Sequence, residues 1–278
     1  MHIPWPYLLS LIIVSIVLLF VFYNKVENLY VFYPQTELEM TPEDLHLNYR
    51  NVYFHSKDGE RLHGWFFSSD NDAPVILYCH GNACNISNLL EYTGLLMKKD
   101  LQVLLFDYRG YGKSTGSPSE NGIYMDTQAA YDYLVNKEKI PSDKIVLAGH
   151  SIGAAAAIDT ATKNHVRSII IESAFTSTKD MSKKIFPMNL ISFLLPANYN
   201  NLEKIAKISV PKLFIHGQED EIVPFEMGKK LFAISMEPKY FYPIKGAGHN
   251  DTFVIGGERY FKIIADFAYN SRLDASAP

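Results

Sequence analysis

The sequence predicts an α/β fold: a mostly parallel sheet of about eight strands with helices on both faces. From Pro74 onward, six short apolar runs follow one another, "PVILYC", "QVLLF", "KIVLAG", "SIIIE", "KLFIHG" and "YFYPI", each bounded by turn residues and separated by helical stretches. Continuous apolar strands alternating with helices mark a parallel sheet buried on both faces. Ahead of them, "NVYFHSKDGERLHGWFF" alternates about Lys57-Asp58-Gly59 and reads as an antiparallel hairpin. The length of 278 residues suits one large domain better than two.

Taken in chain order, the first element is the uncharged stretch Tyr7 to Tyr23, "YLLSLIIVSIVLLFVFY". As a helix it spans roughly 25 Å, near the lower limit for crossing a bilayer. Trp5, Tyr7 and Tyr23 stand where interfacial aromatics belong. A cleaved signal peptide fits less well, because neither a basic n-region nor a small-x-small site accompanies the apolar core. Residues 1–24 are therefore expected to be a retained membrane anchor, residues 25–50 a connector, and residues 51–278 the catalytic domain. Within that domain, residues 175–201 interrupt the regular alternation with "KKIFPMNLISFLLPANYNN". This segment is too apolar for a plain loop and reads as a short lid, with Phe186, Leu190, Phe193, Leu194 and Leu195 available to wall a substrate pocket. A packed connecting helix is the competing reading.

Composition excludes several classes. The net charge is −4 and the lysines are scattered, so nucleic acid is not an expected partner. Cys79 and Cys84 are the two cysteines, too few for a disulfide framework or a metal-ligand pattern. "GYGKST" lacks the first glycine of a phosphate loop, since Asp107 holds that position. Asn85-Ile86-Ser87 and Asn250-Asp251-Thr252 are formal glycosylation sequons beside predicted catalytic loops, where a glycan would block the site.

The chemistry centres on "LAGHSIGAAAA" (147–157). Gly149-His150-Ser151-Ile152-Gly153 fits G-x-S-x-G, and a strand before it with an Ala-rich helix after it is the context a nucleophile elbow demands. A serine nucleophile needs a histidine base, an acid to orient that base, and oxyanion donors. Asp220 follows the run "KLFIHG" and His249 follows "YFYPI", so all three candidates fall beyond strand ends, where open sheets collect ligands. Spacing alone leaves Glu219 and Glu221 as rivals of Asp220. His80 and His216 precede glycines and read as turn-stabilising, His150 as a ring packed beside the elbow, and Asp107 with Arg109 as support for a neighbouring loop.

Six segments, His80-Gly81-Asn82, "FDYRGYGKSTGSPSE" (106–120), "GHSIGA", "ESAFTS" (172–177), "HGQEDEIVP" and "GAGHND", together resemble the α/β-hydrolase family, and within it the Bem46-like branch that includes ABHD-type membrane-associated serine hydrolases. The resemblance spans the chain from about Asn51 to its end. It implies the α/β-hydrolase fold, a nucleophile at Ser151, an acid at Asp220, a base at His249, and oxyanion donors at the backbone N–H groups of Asn82 and Ile152. No metal or organic cofactor is implied. The expected activity is hydrolysis of carboxylic esters through an acyl-enzyme. The anchor and apolar lid point to acyl or lipid-like substrates presented at a bilayer. An acyl-protein thioesterase, a serine peptidase and a non-catalytic membrane scaffold are the alternatives.

Overall fold

The hairpin and the six apolar runs form one eight-stranded sheet in the computed structural model, which describes residues 4–69, 72–185 and 198–273. The strands are β1 (Arg50–His55), β2 (Arg61–Phe67), β3 (Val75–Cys79), β4 (Gln102–Phe106), β5 (Ile145–His150), β6 (Ser168–Glu172), β7 (Lys212–Gly217) and β8 (Lys239–Ile244). Their spatial order is β1-β2-β4-β3-β5-β6-β7-β8. The β1–β2 and β2–β4 pairs are antiparallel, and every other pair is parallel. From β3 to β6 every residue except His150 is buried, which explains why these strands read as unbroken apolar runs rather than alternating ones.

The α-helices among the described residues are α1 (Trp5–Val31), α2 (Leu90–Met97), α3 (Glu120–Asp132), α4 (Ile152–Ala161), α5 (Thr178–Ile185), α6 (Asn201–Ile205), α7 (Phe225–Ile234) and α8 (Thr252–Asn270). Six of them pack in two sets, α2 with α8, and α3, α4, α6 and α7 in succession. Because side chains alternate along a strand, Ile76 and Tyr78 of β3 join the core cluster that contains Leu90 and Leu96 of α2 and Tyr260, Phe261 and Phe267 of α8. All ten residues of α4 are buried, and its alanine run lets the helix lie close against the sheet without bulky side chains.

The chain divides into two compact units, 1–33 and 34–278. Part of the connector belongs to the second: Leu38, Met40, Leu45, Leu47 and Tyr49 pack against the core cluster, and the Asn85 side chain donates to the carbonyls of Gln35 and Glu37. In the first unit, Leu8, Leu9, Leu11, Ile12, Ile13, Val14, Val17 and Leu18 of α1 are exposed. Among the described residues, no helix is long and apolar enough to cross a membrane. The pocket residues Phe186, Leu190, Phe193, Leu194 and Leu195 lie outside the described residues.

Candidate active site

The chain steps outward from β3 to β4 and then returns to place β5 on the other side of β3, so the sheet's switch point lies between β3 and β5. A crevice opens beyond the carboxyl ends of strands at such a point. Cys79 and Gly149 are register partners, so His80-Gly81-Asn82 and Gly149-His150-Ser151 leave the sheet side by side. Ser151 has φ 55° and ψ −116°, a backbone strain that L side chains seldom accept. The flanking glycines make the turn possible: a Cβ on Gly149 would lie 2.2 Å from the Gly153 carbonyl oxygen, and one on Gly153 would lie 2.1 Å from that of Cys79. The Ser151 N–H donates to the Glu172 carbonyl at 3.0 Å, and α4 begins at the next residue. Ser151 is half-buried and Ile152 buried at the N-terminus of α4, where free backbone N–H groups and the helix dipole favour negative charge.

Asp220 and His249 meet across the ends of β7 and β8. His249 Nδ1–H donates to Asp220 Oδ2 at 2.8 Å, which leaves Nε2 outside this bond. Asp220 Oδ1 accepts the N–H groups of Ile222 (3.0 Å) and Val223 (2.7 Å). Burial disfavours the Asp220 charge, but hydrogen bonds from His216, His249 and Val223 outweigh it and hold the carboxyl well below the usual range. The rivals of Asp220 face elsewhere: Glu219 is exposed, and Glu221 accepts the His249 backbone N–H at 3.3 Å. Among the described residues Ser151 makes no side-chain hydrogen bond to His249, a link that unliganded sites often close only with substrate.

The neighbours play larger parts than their sequence context suggested. His150 does pack beside the elbow, with its ring centroid 4.7 Å from that of His249, and its Nε2–H also donates to the His249 carbonyl at 2.9 Å. This bond joins the elbow to the histidine loop. Burial, followed by the charge of His249, pushes the His150 pKa down to about 4. His216 Nε2 lies 3.0 Å from the Val223 carbonyl and 3.2 Å from Asp220 Oδ2, so it steadies the carboxylate as well as its own turn. Its position four residues before Asp220 was the signal available in the sequence. Asp107 accepts the Ile86 N–H at 3.0 Å behind the loop that carries Asn82. Arg109 acts separately, bridging Asp126 and Asp58 and so pinning the hairpin turn to α3. Asn82 Oδ1 accepts from the Tyr111 hydroxyl and from the Ala83 N–H, each at 2.9 Å. Among the described residues no cluster of His, Cys, Asp or Glu is placed to hold a metal ion. Grooves of 900 and 560 Å³ elsewhere on the surface include none of Ser151, Asp220 or His249 in their walls.

Comparison with known proteins shows the family and the fold. Residues 70–200 match the family described as serine aminopeptidase, S33. The chain is 35% identical to protein bem46 of Schizosaccharomyces pombe over 247 residues, covering 85% of this chain and 82% of that one. It is also 35% identical to the α/β hydrolase domain-containing protein WAV2 of Arabidopsis thaliana over 250 residues, covering 82% and 81%. Among solved structures, an esterase of Pyrococcus furiosus superposes with a TM-score of 0.73 at 22% identity, over 86% of this chain and 98% of that one.

Proposed function

Because the chain belongs to the α/β-hydrolase family, in its Bem46-like branch, we propose that it is a serine hydrolase that cleaves carboxylic esters through an acyl-enzyme. The observation that carries this reading is the 2.8 Å Asp220–His249 hydrogen bond, held at the sheet edge that also presents Ser151 on its strained turn. In the proposed reaction His249 Nε2 takes the Ser151 proton as Oγ attacks the carbonyl, then delivers it to the leaving group. Asp220 fixes the ring tautomer and stabilises the imidazolium. The backbone N–H groups of Asn82 and Ile152 receive the oxyanion, assisted by the positive end of α4. Water then attacks the acyl-enzyme by the same proton route in reverse.

Substrate class follows from a second line of support. The exposed apolar side chains of α1 and the apolar residues of 186–195 favour a membrane anchor and acyl or lipid-like esters. The serine aminopeptidase description of the matched family favours amide hydrolysis as a second reading. A panel of esters, thioesters and amides of increasing acyl length separates these activities. Wild type should turn over long-chain esters best, and Ser151→Ala should lose at least about a thousandfold in kcat. Turnover surviving in Ser151→Ala refutes the mechanism, and indifference to acyl length refutes the lipid assignment. Carbonate extraction of membranes from expressing cells tests the anchor: the full chain should stay in the pellet, and its release to the supernatant argues against a spanning helix.

A further inference from the structure

Glu172 is a buried carboxyl at the end of β6, in the "ESAFTS" segment, and the proposed reaction gives it no role. Its main chain lies against the elbow: His150 is its register partner, and its carbonyl accepts the Ser151 N–H at 3.0 Å. Its side chain reaches the other half of the site. Glu172 Oε1 accepts the Thr252 hydroxyl, and Oε2 accepts the Tyr260 hydroxyl at 2.9 Å, so both oxygens bind α8. Tyr92 of α2 in turn hydrogen-bonds Tyr260 at 3.3 Å. Thr252 opens α8 three residues after His249, and between them Asp251 accepts the Gly248 N–H at 2.7 Å. The loop carrying His249 is therefore short, braced internally, and tied at its far end to Glu172.

We propose that Glu172 is a positioning residue that sets the distance between Ser151 and His249, its main chain fixing the elbow and its carboxyl oxygens fixing the start of α8. The proposal rests on the serine-hydrolase reading above. Hydrophobic packing alone would hold α8 on the sheet, as it does along Phe261, Ile264 and Phe267. It would not specify the register of the first turn. Burial raises the Glu172 carboxyl, so retaining this group costs stability, which a site concerned only with packing could avoid with an apolar residue. The space for misplacement also exists. A cavity of 160 Å³ lies against the same groups, walled in part by Tyr78, Cys84, Tyr92, His150, Glu172 and Thr252, so the first turn of α8 borders open space rather than close packing. An error of about 1 Å at a reacting group costs up to roughly a hundredfold in rate.

The test uses the full-length protein and a soluble short-chain aryl ester, with kcat normalised to sites titrated by a fluorophosphonate. Glu172→Gln keeps the shape but supplies only one acceptor oxygen, and Thr252→Val removes one donor. Each should lower kcat roughly 10- to 100-fold with KM within about twofold. The double variant should lose no more than the worse single one, because both cut one latch. Thr252→Ser, which keeps the hydroxyl, should restore the loss seen in Thr252→Val. The Thr252 pair carries the test alone if Glu172→Gln does not fold. Folded variants with wild-type kcat per site, or a loss confined to KM, overturn the proposal. Undiminished turnover in Ser151→Ala is a different result, and would instead overturn the serine-hydrolase reading.

Discussion

Two neighbouring groups at the site are shifted in ways that both penalise acid. The His150 pKa lies near 4, against about 6.5 for an unfolded histidine, so between those values the unfolded chain binds the extra proton. Stability from this group is complete above pH 6.5 and is lost as pH falls toward 4, by no more than about 3 kcal/mol. Asp220 is lowered below the ordinary carboxylate value, so its contribution is present above about pH 4 and is lost on further acidification. Chemical denaturation across pH 7 to 3 should resolve the two. His150→Gln should flatten the slope between pH 6.5 and 4, and Asp220→Asn should flatten it below 4. Slopes parallel to wild type in both variants would mean that neither group couples protonation to folding.

At the scale of the element, the elbow depends on the close approach of β5, α4 and the end of β3. Gly153→Ala would place a Cβ 2.1 Å from the Cys79 carbonyl, and backbone cannot yield as a flexible side chain can. A loss of at least about 3 kcal/mol is expected, read as a lower denaturation midpoint; an unchanged midpoint would show that α4 shifts freely. The same local demands made the elbow legible, because G-x-S-x-G between an apolar run and an alanine run states its steric problem within a dozen residues. The strands were legible for a related reason: burial on both faces leaves unbroken apolar runs, and β1 to β8 match those runs to within about a residue. Partnerships between distant segments were not legible. Glu172 meets Thr252 and Tyr260 at separations of 80 and 88 residues, and nothing in "ESAFTS" announces them. The docking of Leu38 to Tyr49 on the core was equally hidden, since that stretch has neither helical nor strand periodicity. Asp220 was separable from Glu219 and Glu221 by resemblance, whereas the structure separates them by direction.

At the scale of the whole molecule, residues 34–278 carry every group invoked in the reaction, and residues 1–33 form a separate unit in which α1 exposes apolar side chains from Leu8 to Leu18. In the proposed reading, catalysis and membrane attachment are thus divided along the chain, and the proposed triad draws on sequence positions from 151 to 249 that only the sheet brings to one edge. The measurement that tests this most directly is reaction of the full chain with a fluorophosphonate, followed by intact-mass and peptide mapping. A single adduct on Ser151 is predicted, with a labelling rate that falls at least about a hundredfold in His249→Ala and is lowered in Asp220→Asn. An adduct on another residue, or none on folded wild-type protein, would contradict the assignment of Ser151 as nucleophile.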